Sequence, residues 1–351
     1  MVLFIFGATG DLTRRKIVPA LRSLNIEGLQ IIALGRKDLN DKTYEQFVCG
    51  EGCFDDIHSR PKYEKVRFAD SVVCEHCDAY HRKGEINYFY SALPPAQIAS
   101  VIGYVGGVKR AGYDVRLLIE KPFGYSLANA LELKRLLDKW DLASDVYISD
   151  HYLFKDGIRT LEPKAFDSIK MVSLESLGLE MRAGYYDGVG ALKDMVQSHF
   201  LNIAFKLLDD PVSEFKDFEV VAYERGQYGN GRDSGYAAEL GKTSETETYA
   251  RVVLKTRKHA FEFETGKAFD RKVGFIDCDG EQIRIDALND DYLRLFTDFF
   301  ADRKKDFATV ENSILAWEIV ERIEQHRTGL KHYGVGTPVK RVLKDQIFLA
   351  K

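Results

Sequence analysis

The 351-residue chain predicts an N-terminal Rossmann-type α/β domain with a doubly wound parallel sheet over residues 1–150, and a C-terminal α+β domain with a mainly antiparallel sheet over residues 151–351. Three observations predict it. The length exceeds what one compact core usually takes. Between Val2 and Ile148 short, continuous apolar runs alternate with amphipathic ones, the pattern of strands covered on both faces by helices. After Asp150 that alternation stops, and a cluster of strand-like segments flanked by helices takes its place.

In the first domain Val2–Phe6 reads as a buried strand, and Leu12–Leu24 as a helix with Ile17, Leu21 and Leu24 on one face. Gln30–Leu34 is again short and apolar. Val66–Phe68 and Ile86–Tyr90 read as strands, Pro95–Val105 as a helix, Val115–Ile119 as a strand and Ser126–Lys139 as a helix; Val146–Ile148 closes the series. In the second domain Ser168–Leu174 reads as a strand and Asp187–Leu208 as one long helix. Strands follow at Phe218–Tyr223, Thr246–Leu254, His259–Phe263, Val273–Ile276 and Gln282–Ile285, then helices at Asp290–Phe300 and Val310–Gln325. From Gly329 onward Gly334, Gly336 and Pro338 predict irregular backbone.

Composition narrows the function. A net charge of -4 without a block of like charges excludes the electrostatic footprint of a nucleic-acid or anionic-membrane binder. No apolar run is long enough to span a bilayer. The opening Met1–Phe6 run has no basic leading segment and ends at once in Gly7-Ala8-Thr9-Gly10-Asp11, so it reads as a strand and not as a signal sequence. A cytoplasmic protein with reduced thiols is expected. Cys49, Cys53, Cys74 and Cys77 form C-x3-C and C-x2-C pairs near His76 and His81. Such pairs either grip a structural zinc or are unconnected thiols of a surface region; no catalytic metal is implied.

Gly7-Ala8-Thr9-Gly10-Asp11-Leu12 ends the first strand and opens the first helix, where a doubly wound sheet binds a dinucleotide pyrophosphate. The second strand ends in Leu34-Gly35-Arg36-Lys37. An acidic residue there would hold the ribose hydroxyls of NAD; arginine and lysine suit the 2′-phosphate of NADP, and Asp38 leaves room for NAD as well. Three further groups carry chemistry: Glu120-Lys121-Pro122-Phe123-Gly124, Asp150-His151-Tyr152-Leu153-Phe154-Lys155, and Asp194 to His199. Each is commonplace alone. Behind a dinucleotide turn they fit alcohol oxidation, which needs a base for the hydroxyl proton and a fixed hydride acceptor. Asp194 and His199, five apart, would lie on overlapping but not identical faces of an α-helix.

These residues, with Tyr90-Ser91-Ala92-Leu93-Pro94-Pro95, Gly184-Tyr185-Tyr186-Asp187, Glu247-Thr248-Tyr249-Ala250, Gly266-Lys267, and Asp291-Tyr292 with Arg294-Leu295, run in the order of one family over most of the chain. The chain resembles the glucose-6-phosphate dehydrogenase family. The resemblance implies oxidation of the C1 hydroxyl of glucose 6-phosphate to the lactone with NADP, within the pentose phosphate pathway of glucose metabolism. It implies His199 as general base, oriented by Asp150, and Lys121 touching both sugar and cofactor. His151, Tyr152 and Lys155 would hold the phosphate, Glu175 and Asp194 the sugar hydroxyls, and Lys267 with Lys272 would close the site. Gly7, Thr9, Gly10, Asp11, Leu12, Arg36, Leu93, Pro94 and Lys121 would bind the cofactor, and the subunit would form a homodimer or larger homo-oligomer.

The chain departs from the family pattern at Phe154, where glycine is usual and a benzyl group could reshape the phosphate turn, at Ser198, which replaces an asparagine, and at Asp286, where some members place a glutamine. It is also shorter than typical members. Two other readings stay open: the same chemistry on a different sugar or sugar phosphate, and an NADP-sensing protein without catalysis.

Overall fold

A computed structural model describes residues 1–55, 58–68, 71–229, 234–285 and 291–342, apart from the side chain of Met181. Asp286 and Asp290 lie outside the described residues. The chain divides into two compact units, one of Met1–Phe154 with Leu288–Ile314 and one of Lys155–Ala287 with Leu315–Lys351. The segment Leu288–Ile314 therefore belongs with the first unit and not with residues 151–351. Its helix Asp291–Phe300 explains why: the apolar face meets the tyrosines of the first sheet, with Phe296 5.3 Å from Tyr90 and Phe299 5.2 Å from Tyr88.

The first unit carries β1 (Val2–Phe6), β2 (Gln30–Gly35), β3 (Lys62–Lys65), β4 (Arg67–Phe68), β5 (Val72–Val73), β6 (Ile86–Ser91), β7 (Asp114–Glu120) and β8 (Val146–Ser149). Six of them form a sheet in the order β3-β2-β1-β6-β7-β8, parallel at every pairing. The order reverses between β1 and β6, and a doubly wound sheet takes ligands beyond the carboxyl ends of the strands at that point. The central strands are continuously buried, as their unbroken apolar runs require.

The sheet's third strand is β3, and only the ribbon β4–β5 uses Arg67–Phe68, a correction to the strand expected at Val66–Phe68. β3 is an edge strand whose best-buried residue is Tyr63, so it lacks the apolar run that a buried strand shows. The helix Asp41–Val48 has no counterpart in the sequence reading. It is capped reciprocally by Asn40 and Thr43, a polar start that hydrophobic periodicity does not register.

The second unit carries β9 (Ser168–Leu174), β10 (Glu219–Tyr228), β11 (Tyr249–Lys255), β12 (Ala260–Gly266), β13 (Val273–Cys278), β14 (Glu281–Arg284) and β15 (Lys331–Tyr333), in the order β14-β13-β9-β12-β11-β10-β15. β9 with β12 and β10 with β15 are parallel; the other pairings are antiparallel. The helical segment Leu192–Lys206 lies against this sheet, with Phe200 5.9 Å from Phe263. It starts later than the expected Asp187 because Gly188 and Gly190 hold φ of 85° and 75°, outside the helical region. The tail is more ordered than expected: β15 pairs with β10, and a helical turn covers Val339–Val342.

Cys49 is bonded to Cys53 and Cys74 to Cys77, with Cα separations of 6.0 and 5.6 Å. Among the described residues no helix is long and apolar enough to cross a membrane.

Candidate active site

In the first unit every residue selected from the sequence follows the carboxyl end of a strand. The turn after β1 is tied to both neighbours: Gly7 and Ala8 donate to Leu34 O at 3.1 and 3.0 Å, and Ala92 donates to Phe6 O at 2.9 Å. Gly7 has φ 86°, and a Cβ there would stand 3.1 Å from Ala92 O and 3.2 Å from Leu93 Cδ2, so only glycine fits beneath Leu93. Gly10 donates to Gly7 O at 2.9 Å and Thr13 Oγ1 to the same oxygen at 3.0 Å, closing the turn. The helix it opens begins as a π-helical stretch, Thr13–Ile17. Gly10 and Asp11 are exposed, Thr9 and Leu12 half-buried, and Asp11 faces Arg14 and Arg15 at 3.5 Å.

After β2, Arg36 and Lys37 are exposed. Lys37 lies over the Phe47 ring at 4.2 Å, and Asp38 pairs with Lys65 at 3.3 Å. Among the described residues Arg36 makes no ion pair, so its guanidinium is available to an anion. After β6, Leu93 is half-buried and Pro94 exposed.

After β7 the Lys121–Pro122 peptide is cis, and Lys121 N donates to Ser149 O at 3.2 Å. Phe123 is buried, and Gly124, with φ 79°, sits where a Cβ would stand 2.9 Å from Ala130 N. After β8, Asp150 is fully buried; its Oδ1 accepts from Tyr152 N at 3.0 Å and its carbonyl from Leu153 N at 3.0 Å, so the carboxylate is held by the turn it begins. His151 meets Tyr152 edge-on at 5.1 Å and stacks at 5.9 Å on Tyr292. Phe154 is fully buried, with its ring 4.9 Å from Phe307; the benzyl group fills the core of the first unit instead of lining a phosphate pocket.

In the second unit strand register gathers a separate constellation. Gly266 and Val273 both stand opposite Leu174, at the sheet end where Lys267, Lys272 and Glu175 are the next residues along their chains. Glu175 N donates to Gly266 O at 2.9 Å. Lys267, nearly buried, reaches Glu175 Oε2 at 2.7 Å and Asp194 Oδ2 at 3.8 Å. Lys272 is exposed. Asp194 and His199 belong to the π-helical stretch Leu192–Phe200, where Leu201 N bonds to Val196 O, five residues back. A π turn brings residues five apart onto one face, where an α-helix was expected to put them on overlapping but not identical faces. His199 is 2% exposed and Asp194 half-buried. Ser198 Oγ donates to Asp194 O at 2.7 Å. Lys155 is buried.

Residues 4–160 match the family model described as "Glucose-6-phosphate dehydrogenase, NAD binding domain", and residues 159–222 match "Glucose-6-phosphate dehydrogenase, C-terminal domain", together more than half of the chain. The chain belongs to the glucose-6-phosphate dehydrogenase family. It is 32% identical to the glucose-6-phosphate 1-dehydrogenase of Aggregatibacter actinomycetemcomitans over 60% of this chain and 50% of the relative. It is 28% identical to glucose-6-phosphate 1-dehydrogenase 2 of Mycobacterium tuberculosis over 77% of this chain and 66% of that one. The chain thus spans about half to two thirds of the length of these curated relatives. Among solved structures, a glucose-6-phosphate dehydrogenase in complex with its substrate glucose-6-phosphate superposes with a TM-score of 0.81 at 20% identity, covering 100% of this chain and 98% of that one. A glucose-6-phosphate 1-dehydrogenase from Mycobacterium avium gives 0.78 at 21% identity, covering 96% and 94%. At these identities the likeness shows the fold.

The structure of this glucose-6-phosphate dehydrogenase family member adds residues to which the sequence reading gave no role. Tyr44 OH donates to Ala8 O at 3.2 Å, and Tyr63 OH to Lys37 O at 2.8 Å, so the turns after β1 and β2 both rest on one stacked tyrosine pair. Glu120 accepts from Tyr90 OH and Tyr292 OH, both at 2.7 Å; burial pushes its carboxyl up, against these hydrogen bonds. Glu247 accepts from Leu192 N at 3.2 Å and so caps the helical segment that carries Asp194 and His199; burial raises it too, with Arg225 3.4 Å away. Glu120 and Glu247 stand inside motifs that the sequence displays, but spacing alone cannot tell a carboxylate that holds backbone from one that holds substrate.

Proposed function

We propose that the chain oxidises the C1 hydroxyl of glucose 6-phosphate to 6-phosphoglucono-lactone with NADP as hydride acceptor. One observation carries the reading: in the first unit every sequence-selected residue follows the carboxyl end of a strand in a 3-2-1-6-7-8 parallel sheet, where a dinucleotide binds. The residues fit the cofactor. Gly7, which a Cβ would obstruct, lets a pyrophosphate approach the backbone of Thr9, Gly10, Asp11 and Leu12 at a helix start. Leu93 and Pro94 line the neighbouring strand end. The uncommitted Arg36 suits the 2′-phosphate, which favours NADP, with NAD as a possible second cofactor. The cofactor, when bound, supplies the hydride acceptor.

His199 takes the proton of the C1 hydroxyl, and Asp150 orients the imidazole and stabilises its charged form. Lys121 contacts sugar and cofactor. His151, Tyr152 and Lys155 bind the phosphate through charge-assisted hydrogen bonds. Glu175 and Asp194 bind sugar hydroxyls, and Lys267 and Lys272 close the site. Support for the sugar-binding part is the Glu175–Lys267–Asp194 group, a buried ammonium between two carboxylates at one sheet end. A cytoplasmic homodimer or larger homo-oligomer accompanies this reading, after the family.

The test is NADPH absorbance at purified protein with glucose 6-phosphate, other hexose phosphates and free hexoses, each with NADP and NAD. Turnover with glucose 6-phosphate and NADP supports the reading. Turnover only with another sugar moves the same chemistry to that sugar, and cofactor binding without turnover on any sugar refutes catalysis.

A further inference from the structure

The Gly184-Tyr185-Tyr186-Asp187 motif has no role in the reaction as described so far. Tyr186 ends the short helix Ala183–Tyr186 and is 4% exposed. It belongs to a core cluster with four other buried tyrosines, Tyr228, Tyr236, Tyr249 and Tyr333. Each of those four commits its hydroxyl. Tyr228 OH donates to Glu239 Oε2 at 2.7 Å, Tyr236 OH to Ala183 O at 3.3 Å, Tyr249 OH to Glu264 Oε1 at 2.5 Å and Tyr333 OH to Lys267 O at 2.8 Å. The Tyr186 hydroxyl is buried and, among the described residues, has no hydrogen-bond partner. A buried hydroxyl in that condition is costly and calls for an explanation, and a ligand that completes it is one.

Its surroundings indicate which ligand. The Lys267 ammonium lies 6.0 Å from the centre of the Tyr186 ring and is bonded to Glu175 and near Asp194. Burial, reinforced by the charge of Asp194 and then by Glu247 and Glu175, holds the phenol well above its ordinary range, so it stays a neutral donor and acceptor. The next residue, Asp187, is anchored by Ser244 Oγ at 2.5 Å, Thr246 Oγ1 at 2.9 Å and Lys242 at 2.9 Å, and Tyr236 closes edge-on at 6.3 Å. Two carboxylates that accept and one fixed phenol that also donates form a set suited to the ring hydroxyls of a pyranose, each of which both donates and accepts.

Resting on the sugar-phosphate reading above, we propose that Tyr186 is a specificity-determining residue whose hydroxyl binds one ring hydroxyl of the sugar beside Glu175 and Asp194.

The test compares Tyr186→Phe with the unaltered chain. Calorimetry gives the Kd of glucose 6-phosphate and of its 2-deoxy, 3-deoxy and 4-deoxy analogues, and turnover is measured beside it. The loss of one hydrogen bond predicts binding of glucose 6-phosphate weakened about 3- to 10-fold. One deoxy analogue, lacking the hydroxyl that Tyr186 binds, should bind alike to both proteins, and NADP affinity should not change. Equal losses on all four sugars, or no loss on glucose 6-phosphate, would overturn the proposal. Tyr236→Phe is the control, since that hydroxyl is committed to Ala183 O; if it reproduces the same sugar pattern, the effect runs through the fold and the contact is refuted. An unaltered chain that binds glucose 6-phosphate without forming NADPH refutes the oxidation alone, and the analogue pattern still decides Tyr186. Failure to bind any of the four sugars overturns both.

Discussion

Replacing Glu264 by glutamine removes the carboxylate that burial disturbs most clearly in the second unit. Glu264 lies on β12, fully buried, with Oε1 accepting from Tyr249 OH at 2.5 Å and Oε2, among the described residues, without a hydrogen bond. The nearest cation, Lys170 on β9, is 3.6 Å from Oε2 but closer to Glu262, at 3.0 Å, and Arg251 on β11 also serves Glu262, at 2.8 Å. Desolvation therefore prevails, and the Glu264 carboxyl is pushed up from 4.5 to about 7. Because the folded value lies above the unfolded one, the stability contributed by the neutral acid is complete below pH 4.5. It is lost as pH rises through about 7 and stays lost above. At 1.36 kcal/mol per pH unit the gap corresponds to about 3.4 kcal/mol. Glutamine is neutral throughout and keeps the contact with Tyr249. The assay is urea denaturation from pH 4.5 to 8.5 in a Trp140→Phe background, which leaves Trp317, buried in the second unit, as the one tryptophan of the chain. Stability of the glutamine variant relative to the parent should rise by about 3 kcal/mol across that range, most steeply between about pH 5 and 6.5, midway between the unfolded and folded values. Parallel curves would show that Glu264 ionises like an ordinary carboxylate and would refute the reasoning.

Arg36→Ala should raise the Kd of NADP by about 10- to 100-fold through loss of a charge-assisted bidentate pair, with NAD changed less than about 2-fold; calorimetry with both cofactors checks it, and equal losses would remove Arg36 from the 2′-phosphate. Gly190→Ala should destabilise the second unit by about 2–4 kcal/mol, since a Cβ at φ 75° is strained and would collide with the Glu247 carboxylate that caps Leu192. Denaturation followed by Trp317 reads the loss, and an unchanged midpoint would mean that the cap is dispensable. His199→Asn should cut kcat by about 10²- to 10⁴-fold while the Kd of glucose 6-phosphate moves only a few-fold, because loss of a general base acts on the transition state. A variant with full turnover would disqualify His199.

Much of the fold was legible because long periodic segments announce themselves. β1, β2, β6, β7 and β9 stand within a residue or two of their apolar runs, and the Gly7–Leu12 turn declared the sheet type and its ligand edge. What stayed hidden depended on contacts distant in sequence. The edge strand β3 and the three-residue β15 are too short and too polar to show a period. The helix Asp291–Phe300 has a clear apolar face, but nothing local says which unit covers it; aromatic packing on Tyr88 and Tyr90 assigned it to the first.

The candidate site divides in the same way. The sequence alone determined which residue types are present and at which strand ends they fall, because both are local: a glycine turn after one strand, Arg36 after the next, Lys121 and Asp150 after two more. Only the tertiary structure decided their states. It set Lys267 against Glu175 at the end of paired strands, and buried Phe154 against Phe307. It wound Leu192–Phe200 as a π-helix so that Asp194 and His199 share a face, and left one of five clustered tyrosine hydroxyls without a partner. Those outcomes depend on burial and on pairing between residues far apart in the chain, and such energies belong to the folded arrangement and not to any stretch of sequence.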